Sequence, residues 1–168
     1  MKLRTLLLTA ATVVAAVNCS FGKGLPSVRL QDTDHRNVDT AELSTDGKPM
    51  VISFFALWCK PCLRELAALA EVYDEWQAET GVKIVAVSVD DARSSGLVPA
   101  EVKARGFGWV TLLDPNSEFR RAMGVNDIPH TFLLDGAGNI VWQHTSYADG
   151  DEQELCRKIR EIASPRKH

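Results

Sequence analysis

The apolar residues of this chain form two short unbroken runs with a helical pattern between them. Residues 50–55 (MVISFF) and 84–89 (IVAVSV) are almost entirely apolar, as expected for strands that are covered on both faces of a parallel sheet. Between the runs, apolar residues recur at helical spacing over about 61–80, and Gly81 ends the pattern. The members of this helical stripe are Leu63, Leu66, Leu69, Ala70, Tyr73 and Trp76. Strand, helix and strand in this order predict a right-handed βαβ unit.

The part of the chain after this unit predicts shorter elements that end in a hairpin and a helix. Its first half contains a polar loop, a helix, a strand and a short helix, at residues 90–96, 99–105, 111–113 and 117–123. The segment 134–140 (LDGAGNI) has the pattern of a strand, a tight turn and a second strand that continues to 144. A last helix begins near 149–152, and its apolar face consists of Leu155, Ile159 and Ile162. The predicted order is therefore βαβ followed by ββα.

Two short elements precede the first apolar run. Residues 28–30 predict a strand and 38–43 a second short element, with turns at 32–37 and 46–49. The 168 residues of the chain are enough for one domain with a full core. We expect that domain to extend over 24–163, with 164–168 as a C-terminal tail.

The first residues have the pattern of a secretory leader rather than of a folded element. Lys2 and Arg4 form a short positive region before the apolar stretch 6–17, which is too short to span a bilayer comfortably. We therefore expect residues 1–22 to be a signal peptide. The mature chain is then expected in the periplasm or cell envelope, where disulfide bonds persist. A buried N-terminal helix or strand is the alternative.

Cys19 leaves two forms of the mature N-terminus open. The sequence AVNC at 16–19 resembles a bacterial lipoprotein signal, in which the cysteine is lipidated and anchors the protein to the membrane. Asn18 departs from the Gly, Ala or Ser that is usual before that cysteine. Ordinary cleavage near Ala16 or Gly22, without lipidation, is the alternative.

The charge of the chain argues against nucleic acid as a partner. The sequence carries 19 Lys and Arg against 22 Asp and Glu, a net charge of −3. It contains neither a basic patch nor an internal repeat, and we therefore expect no nucleic-acid binding.

The segment 58–62 (WCKPC) lies where the first predicted strand passes into the predicted helix. A helix N-terminus has unpaired N–H groups and partial positive charge, so it favours a thiolate over a thiol on Cys59. Cys62 lies one turn further along, close enough to attack a mixed disulfide on Cys59. Pro61 is compatible with the first turn because its missing N–H has no partner there. The arrangement predicts redox chemistry by the two cysteines.

Other uses of two closely spaced cysteines fit this sequence less well. A zinc site needs four ligands, but Cys19 and Cys156 are isolated and the four histidines are scattered. Haem attachment needs a histidine directly after the second cysteine, and Leu63 stands there. A purely structural disulfide stays open. Nothing in the sequence indicates a metal, a nucleotide or an organic cofactor.

Two segments together resemble the thioredoxin superfamily: 54–62 (FFALWCKPC) and 124–135 (GVNDIPHTFLLD). The leader and the segment inserted between Asp90 and Gly124 make the chain similar to the extracytoplasmic TlpA-like (ResA-type) thiol–disulfide oxidoreductases. The resemblance covers roughly 24–163. It implies an α/β thioredoxin-like fold, with a central mixed β-sheet flanked by helices, an N-terminal extension and a central insertion.

The resemblance implies that Pro129 is cis and lies beside the catalytic Cys59–Cys62 disulfide. A cis peptide bond is costly except before proline. In the superfamily the resulting bend exposes the backbone of the preceding residue, here Ile128, for pairing with the substrate chain. A trans proline at the start of a strand is the alternative.

The resemblance also gives Glu65 a role in proton transfer. Thioredoxins carry a buried Asp six residues before the first cysteine, where this chain has Ser53. ResA-type proteins instead carry a Glu three residues after the second cysteine, and Glu65 occupies that position. On a helix it lies one turn beyond Cys62, where a partly buried carboxyl with a raised pKa takes the Cys62 proton. A solvated residue of the first helical turns is the alternative.

Three further residues are candidate contacts for the thiolate or the substrate. Lys60 adds positive charge near Cys59 if its ammonium points inward, but such a lysine more often points to water. His130, where Thr is common in the family, tunes the thiolate, touches substrate or is an ordinary exposed histidine. Trp58 is expected to pack against the dyad and to form part of the docking surface. The predicted substrate-binding set is Trp58, Lys60, Pro61, Ile128, Pro129 and His130.

The sequence and its resemblance predict an enzyme, a protein-disulfide reductase. The Cys59 thiolate attacks a disulfide of an extracytoplasmic partner protein, and Cys62 then resolves the mixed disulfide. A membrane electron donor would re-reduce the pair. Family possibilities for the substrate are cytochrome c apoproteins and envelope proteins damaged by oxidation, the second of these an antioxidant role.

Other functions stay open at this point. Similar dyads cover potentials from about −270 mV to about −120 mV, so an oxidase or isomerase is the first alternative. A binding module without turnover and a peroxiredoxin-like peroxidase are the others, although such a peroxidase normally has a lone cysteine in a Thr- and Pro-containing loop. Cys156 is predicted to be a buried, inert thiol, with a third redox cysteine as the minority interpretation.

Overall fold

The computed structural model describes residues 24–164. Within that range the strands are β1 (Arg29–Asp32), β2 (Asn37–Asp39), β3 (Met50–Phe55), β4 (Lys83–Ser88), β5 (Val110–Leu113), β6 (His130–Leu134) and β7 (Ile140–Thr145). The α-helices are α1 (Lys60–Thr80), α2 (Val98–Ala104), α3 (Glu118–Ala122) and α4 (Asp151–Ala163). Short 3-10 turns occupy Thr40–Glu42 and Ser95–Leu97.

These strands form one mixed sheet in the order β2–β1–β5–β4–β3–β6–β7. The central strands β3, β4 and β5 run parallel, whereas β1 and β6 pair antiparallel with β5 and β3. Every residue of β3 is buried, which is why its sequence is continuous rather than alternating. The predicted α/β fold with a central mixed sheet flanked by helices is confirmed.

Helix α1 carries the largest share of the helical core. Leu66 and Leu69 are completely buried, which stabilises the fold by about 2 kcal/mol for each side chain. Gly81 ends the helix with φ 72° and donates its N–H to the Gln77 carbonyl, because glycine adopts the left-handed conformation without steric cost. The predicted helix over about 61–80 is confirmed, and so is the βαβ unit.

The N-terminal extension and the insertion meet in the sheet. Strand β1 pairs with β2 as a hairpin and with β5 on its other side, in register Gln31↔Leu113. Strand β5 belongs to the predicted insertion, together with α2 and α3. The short elements predicted at 28–30 and 38–43 are found shifted by about one residue, the second as β2 followed by a 3-10 turn.

Some predictions fall on other parts of the chain. The expected signal peptide at 1–22, the lipidation of Cys19 and the last four residues of the tail lie outside the described residues. The domain limits of 24 and 163 stay predictions. Among the helices of residues 24–164, none combines the length and the apolar character that crossing a membrane requires.

Candidate active site

The two cysteines lie where β3 passes into α1. Cys59 is the N-cap of the helix, and its Sγ accepts the backbone N–H of Cys62 at 3.3 Å. The two side chains form a disulfide bond. Cys59 keeps 6% of its surface exposed while Cys62 is completely buried. A molecule approaching from solvent therefore reaches Cys59 first.

The loop that carries Cys59 is fixed by a side chain from the neighbouring strand. Asp90, which follows β4 and is fully buried, accepts the Leu57 N–H and the Ser88 hydroxyl on the same oxygen, both at 2.9 Å. From the sequence, Asp90 is predicted only to begin a polar loop. A carboxylate directly after a buried parallel strand was the available signal, because such strand ends meet the neighbouring loops at one edge of the sheet.

Pro129 lies across the loop from the dyad. The Ile128–Pro129 peptide bond is cis, as the resemblance implied. The Ile128 carbonyl oxygen lies 3.9 Å from Cys59 Sγ, which places this backbone directly beside the more accessible cysteine. Within residues 24–164, Ile128 takes part in no backbone–backbone hydrogen bond. Its role in substrate pairing stays a prediction.

Glu65 is buried, and its carboxylate is held by two hydroxyl groups. Thr131 donates to Oε1 at 2.7 Å and Ser53 donates to Oε2 at 3.1 Å. Burial raises the pKa of Glu65 from its usual value near 4.5 to about 7, with the two hydrogen bonds acting in the opposite direction and Asp151 adding a small increase. The solvated alternative is therefore wrong, since only 5% of Glu65 is exposed.

The sequence pattern predicts no contact for the two residues that hold Glu65. Ser53 is paired with Thr131 across β3 and β6, so both hydroxyls project to the face that α1 covers. In the sequence, Ser53 stands out only as the residue at the position of the thioredoxin Asp. A polar residue inside an otherwise continuous apolar strand was the signal, because a buried hydroxyl requires a hydrogen-bond partner.

The other predicted contacts surround the dyad with different degrees of exposure. Trp58 has 67% of its surface exposed, so its ring lies mostly in solvent, and its packing against the dyad stays a prediction. Lys60 is exposed and Pro61 is half-buried. For these residues a part in substrate docking stays a prediction.

His130 is held in place by neighbours on β7. Its Nε2 lies 3.1 Å from the Gln143 side-chain oxygen and its Nδ1 lies 2.9 Å from the Thr145 hydroxyl. Burial lowers the pKa of His130, partly offset by the Gln143 contact, which favours the neutral imidazole. His130 is thus a hydrogen-bonded, half-buried residue at the start of β6, and its part in tuning the thiolate or touching substrate stays a prediction.

Cys156 lies apart from the dyad, on α4. It is a free, buried thiol, and burial raises its pKa above the ordinary value for cysteine. Both features fit the predicted inert thiol. Within residues 24–164 no group of three or more His, Cys, Asp or Glu side chains is arranged to hold a metal ion.

Three comparisons with known proteins find a family model, a curated relative and solved structures that are similar to this chain. A model of the AhpC/TSA family matches residues 21–143. The thiol-disulfide oxidoreductase ResA of Bacillus subtilis is 30% identical over 122 residues, which cover 73% of this chain and 65% of that protein. A thioredoxin-like protein from Porphyromonas gingivalis, solved in solution, is 47% identical with a TM-score of 0.76, covering 86% of this chain and 94% of that one.

A more distant structure has the same fold. The putative thiol:disulfide interchange protein DsbE from Chlorobium tepidum is 22% identical with a TM-score of 0.72, and covers 86% of this chain and 100% of that one. The chain itself spans about two thirds of the length of the Bacillus subtilis relative. These findings confirm the thioredoxin-like resemblance.

Proposed function

Because this chain belongs to the AhpC/TSA family, we propose that it is a thiol–disulfide oxidoreductase that reduces disulfide bonds in other proteins through Cys59 and Cys62. The observation that carries the proposal is the disulfide between these residues at the start of α1, in which Cys59 keeps 6% of its surface exposed and Cys62 is completely buried. The name of the Bacillus subtilis relative, thiol-disulfide oxidoreductase ResA, supports the same chemistry.

Cys59 starts the proposed reaction. In the disulfide form Cys59 is the N-cap of α1 and its sulfur accepts the Cys62 N–H. The same position would favour the Cys59 thiolate once the pair is reduced. The thiolate attacks one sulfur of the partner's disulfide. A bond between Cys59 and the partner forms, and the partner's second sulfur leaves as a thiolate that takes a proton from water.

Cys62 completes the reaction with the help of Glu65. The buried Cys62 thiol must lose its proton before it attacks, and a carboxyl group whose pKa is about 7 accepts protons efficiently near neutral pH. Glu65 lies one helical turn beyond Cys62, on the same side of α1. The Cys62 thiolate then attacks Cys59 Sγ, the intramolecular disulfide forms and the partner leaves with two added electrons.

The position of Ile128 supports a polypeptide as the substrate. An extended chain that pairs with the free backbone of Ile128 would bring its disulfide to within reach of Cys59 Sγ, 3.9 Å from the Ile128 carbonyl. We propose that Trp58, Lys60, Pro61, Pro129 and His130 complete this surface. Its physiological partners are then disulfide-containing proteins, with a membrane electron donor that re-reduces the pair.

Trapping the mixed disulfide tests the proposal directly. In a Cys62→Ser variant the reaction stops after the first step, so a disulfide-linked polypeptide stays attached to Cys59 and appears as a band shift on a non-reducing gel. Cys59→Ser should trap nothing, and Cys156→Ser, the matched control, should behave as the parent. Equal trapping by the Cys59→Ser and Cys62→Ser variants would contradict the assignment of Cys59 as the attacking residue.

The reduction potential of the pair decides the direction of electron flow. Equilibration in dithiothreitol or glutathione buffers, followed by tryptophan fluorescence, should give a value near the reducing end of the range, about −270 mV. A value near about −120 mV would favour the oxidase or isomerase instead. If the pair shows no reversible two-electron transition, a binding module without turnover is the remaining interpretation.

The cell envelope is the proposed location. The positive residues Lys2 and Arg4 followed by the apolar stretch 6–17 support export, and Cys19 is the proposed site of a lipid anchor. Metabolic labelling with a fatty acid tests the anchor: label should enter the parent and be lost in Cys19→Ser. If the parent is exported but carries no label, the protein is secreted without a lipid anchor.

A further inference from the structure

A row of polar side chains crosses the sheet beneath Glu65 and ends at its edge strand. Ser53 on β3 lies opposite Thr131 on β6, and Thr131 lies opposite His144 on β7. Directly opposed residues of antiparallel strands project to the same face. The row therefore begins at the two hydroxyls that hold Glu65 and continues to an imidazole at the outer strand.

A small cavity lies between Glu65 and this imidazole. Its polar lining consists of Glu65, Thr131, His144, Tyr147, Asp151 and Glu152. Its volume of about 10 Å³ is close to the space that one water molecule occupies. Several hydrogen-bonding side chains converge on it, which is the condition under which a buried water is favourable. Glu65 thus lies one helical turn after Cys62 on α1 and lines a water-sized space whose wall also includes the apolar side chains of Leu69, Trp142 and Leu155.

The outer end of the cavity is open to solvent and is ordered by contacts between side chains. His144 Nε2 lies 3.4 Å from Asp151 Oδ2, and each of these two side chains is 40% exposed. The Ala148 N–H fixes the Asp151 carboxylate at 2.8 Å, and Trp142 stacks on the His144 ring at 5.7 Å with an interplanar angle of 8°. The imidazole is therefore held at the mouth with a carboxylate against one ring nitrogen.

We propose that Glu65 exchanges its proton with solvent through this cavity, and that His144, oriented by Asp151, accepts the proton at the outer end. The proposal rests on the proposed function, in which Glu65 takes the proton of Cys62. A carboxyl group that is only 5% exposed needs a polar route to water. An imidazole is suited to its outer end because one ring nitrogen can accept a hydrogen bond from the cavity while the other donates one outward.

The proton balance of the route is complete. Cys62 passes its proton to the Glu65 carboxylate and becomes the attacking thiolate. Neutral Glu65 then gives the proton to a water in the cavity, which gives one to His144, and the imidazolium releases it to solvent. No electrons move in these steps, and Glu65 returns to the carboxylate that the next turnover needs.

Every element packed around Glu65 contributes a group that affects this exchange. The set is Cys62 on α1, Ser53 on β3, Thr131 on β6, His144 on β7, Tyr147 on the following loop, and Asp151 and Glu152 on α4. Burial and the hydrogen bond to Glu152 raise the pKa of Tyr147, so its hydroxyl stays protonated. His144 is the nitrogen base of this lining, and its side chain is 40% exposed at the mouth, beside the equally exposed Asp151 carboxylate.

Single-turnover kinetics of a His144→Ala variant test the route. The full chain with Cys19→Ser and Cys156→Ser is reduced and mixed with a disulfide-linked polypeptide such as insulin, and tryptophan fluorescence reports closure of the Cys59–Cys62 disulfide. At pH 6.5 a large fraction of Glu65 starts protonated, because its pKa is about 7, and must release that proton first. We expect the variant to be about tenfold slower at pH 6.5 in dilute buffer and unchanged at pH 8.5.

Imidazole in solution separates proton transfer from a structural effect. Added imidazole should restore the rate of His144→Ala at pH 6.5, because it enters the space left by the missing ring. It should not restore His144→Phe, in which an apolar ring fills the mouth. His35→Asn, which removes an imidazole from the β1–β2 turn where φ is 62° and Asn is tolerated, should match the parent throughout.

The outcomes separate the route from the proposed function. The route would be overturned if the parent and His144→Ala had equal rates at pH 6.5. It would also be overturned if imidazole did not reverse the slowing of the variant. Neither result would contradict the proposed oxidoreductase function. A parent that forms no Cys59–Cys62 disulfide with the substrate would overturn the proposed function, and the route with it. Slowing confined to low pH, with imidazole rescue and an unchanged reduction potential, supports the route.

Discussion

At the scale of single residues, Glu65 is a carboxyl group held away from water, with only 5% of its surface exposed. Its hydrogen-bond partners within residues 24–164 are two neutral hydroxyls, and no ion pair there includes it. A buried carboxyl without a cation binds its proton more tightly in the folded chain than in the unfolded one. The free energy of unfolding must therefore depend on pH through this residue.

The first prediction concerns the sign of that dependence. Between about pH 4.5 and pH 7 the unfolded chain ionises Glu65 while the folded chain keeps it protonated, so stability falls as pH rises through this window. The shift from near 4.5 to about 7 corresponds to roughly 3 kcal/mol. The Glu65→Gln variant should not lose this part of its free energy of unfolding between pH 5 and pH 8, as measured by urea unfolding. Glu71→Gln, on the exposed side of α1, should lose stability between the two pH values as the parent does.

A second prediction concerns the hydroxyl groups that hold Glu65. Thr131 lowers the pKa of Glu65 by donating to its carboxylate at 2.7 Å. Thr131→Val keeps the shape of the side chain but removes this donor, so the pKa of Glu65 should rise further by about 1 unit. Carbon-13 NMR titration of the labelled Glu65 carboxyl measures this pKa in the parent and in the variant.

Thr111 offers a matched control for that experiment. It lies in the same cross-strand row, opposite Ala86, which in turn lies opposite Ser53. Thr111 is buried, and its hydroxyl has no hydrogen-bond partner within the described part of the chain. Thr111→Val should therefore leave the pKa of Glu65 where it is and should not destabilise the fold. If the pKa of Glu65 shifted equally in Thr131→Val and Thr111→Val, the shift would come from general changes in burial and not from the lost hydrogen bond.

At the scale of elements, the sequence predicted what depends on local pattern. The continuous apolar runs located β3 and β4, the helical stripe located α1, and LDGAGNI located the β6–β7 hairpin. The dyad was placed at a helix start because the WCKPC segment lies between the two patterns. These features depend on residues that are close together in the chain, and local preferences are sufficient to fix them.

The features that the sequence did not predict depend on register between distant strands. The contact of Ser53 and Thr131 with Glu65 requires β6 to pair with β3 at one particular offset, and a slip of one residue would turn both hydroxyls to the other face. Likewise, no local pattern indicated that β1 pairs with β5 of the insertion or that Asp90 holds the Leu57 N–H. Such contacts are decided by the packing of the complete sheet.

A third prediction concerns the contact between two turns at the end of the β6–β7 hairpin. A Cβ added at Gly136 would lie 2.5 Å from the Gly47 carbonyl oxygen, and the Thr45 hydroxyl donates to the Gly136 carbonyl at 2.7 Å. Because the obstacle is backbone, Gly136→Ala should destabilise the fold by about 1–3 kcal/mol in urea unfolding. Gly108→Ala, where nothing lies within 4 Å, should be nearly neutral. Equal stability of the two variants would mean that the turns separate without cost.

At the scale of the whole molecule, redox state and stability are linked through one thermodynamic cycle. The cycle has four states: the folded and the unfolded chain, each with the cysteine pair oxidised or reduced. Unfolding connects the states of equal redox form, and oxidation connects the states of equal fold. If the oxidised form is the more stable, the folded pair has a lower reduction potential than the unfolded pair, by about 30 mV for each 1.4 kcal/mol. The direction of electron flow is therefore a property of the complete fold as well as of two sulfurs.

The last prediction uses this cycle to test the proposed direction. Two effects compete: the disulfide restricts the unfolded chain and so stabilises the oxidised form, whereas the N-terminus of α1 stabilises the Cys59 thiolate of the reduced form. A reductase requires the first effect to win, and we expect the oxidised chain to be more stable by about 2 kcal/mol. Urea unfolding of Cys156→Ser with and without a reductant measures the difference at pH 7. A more stable reduced form would mean that the helix N-terminus dominates, and it would reverse the proposed direction toward disulfide formation in the partner.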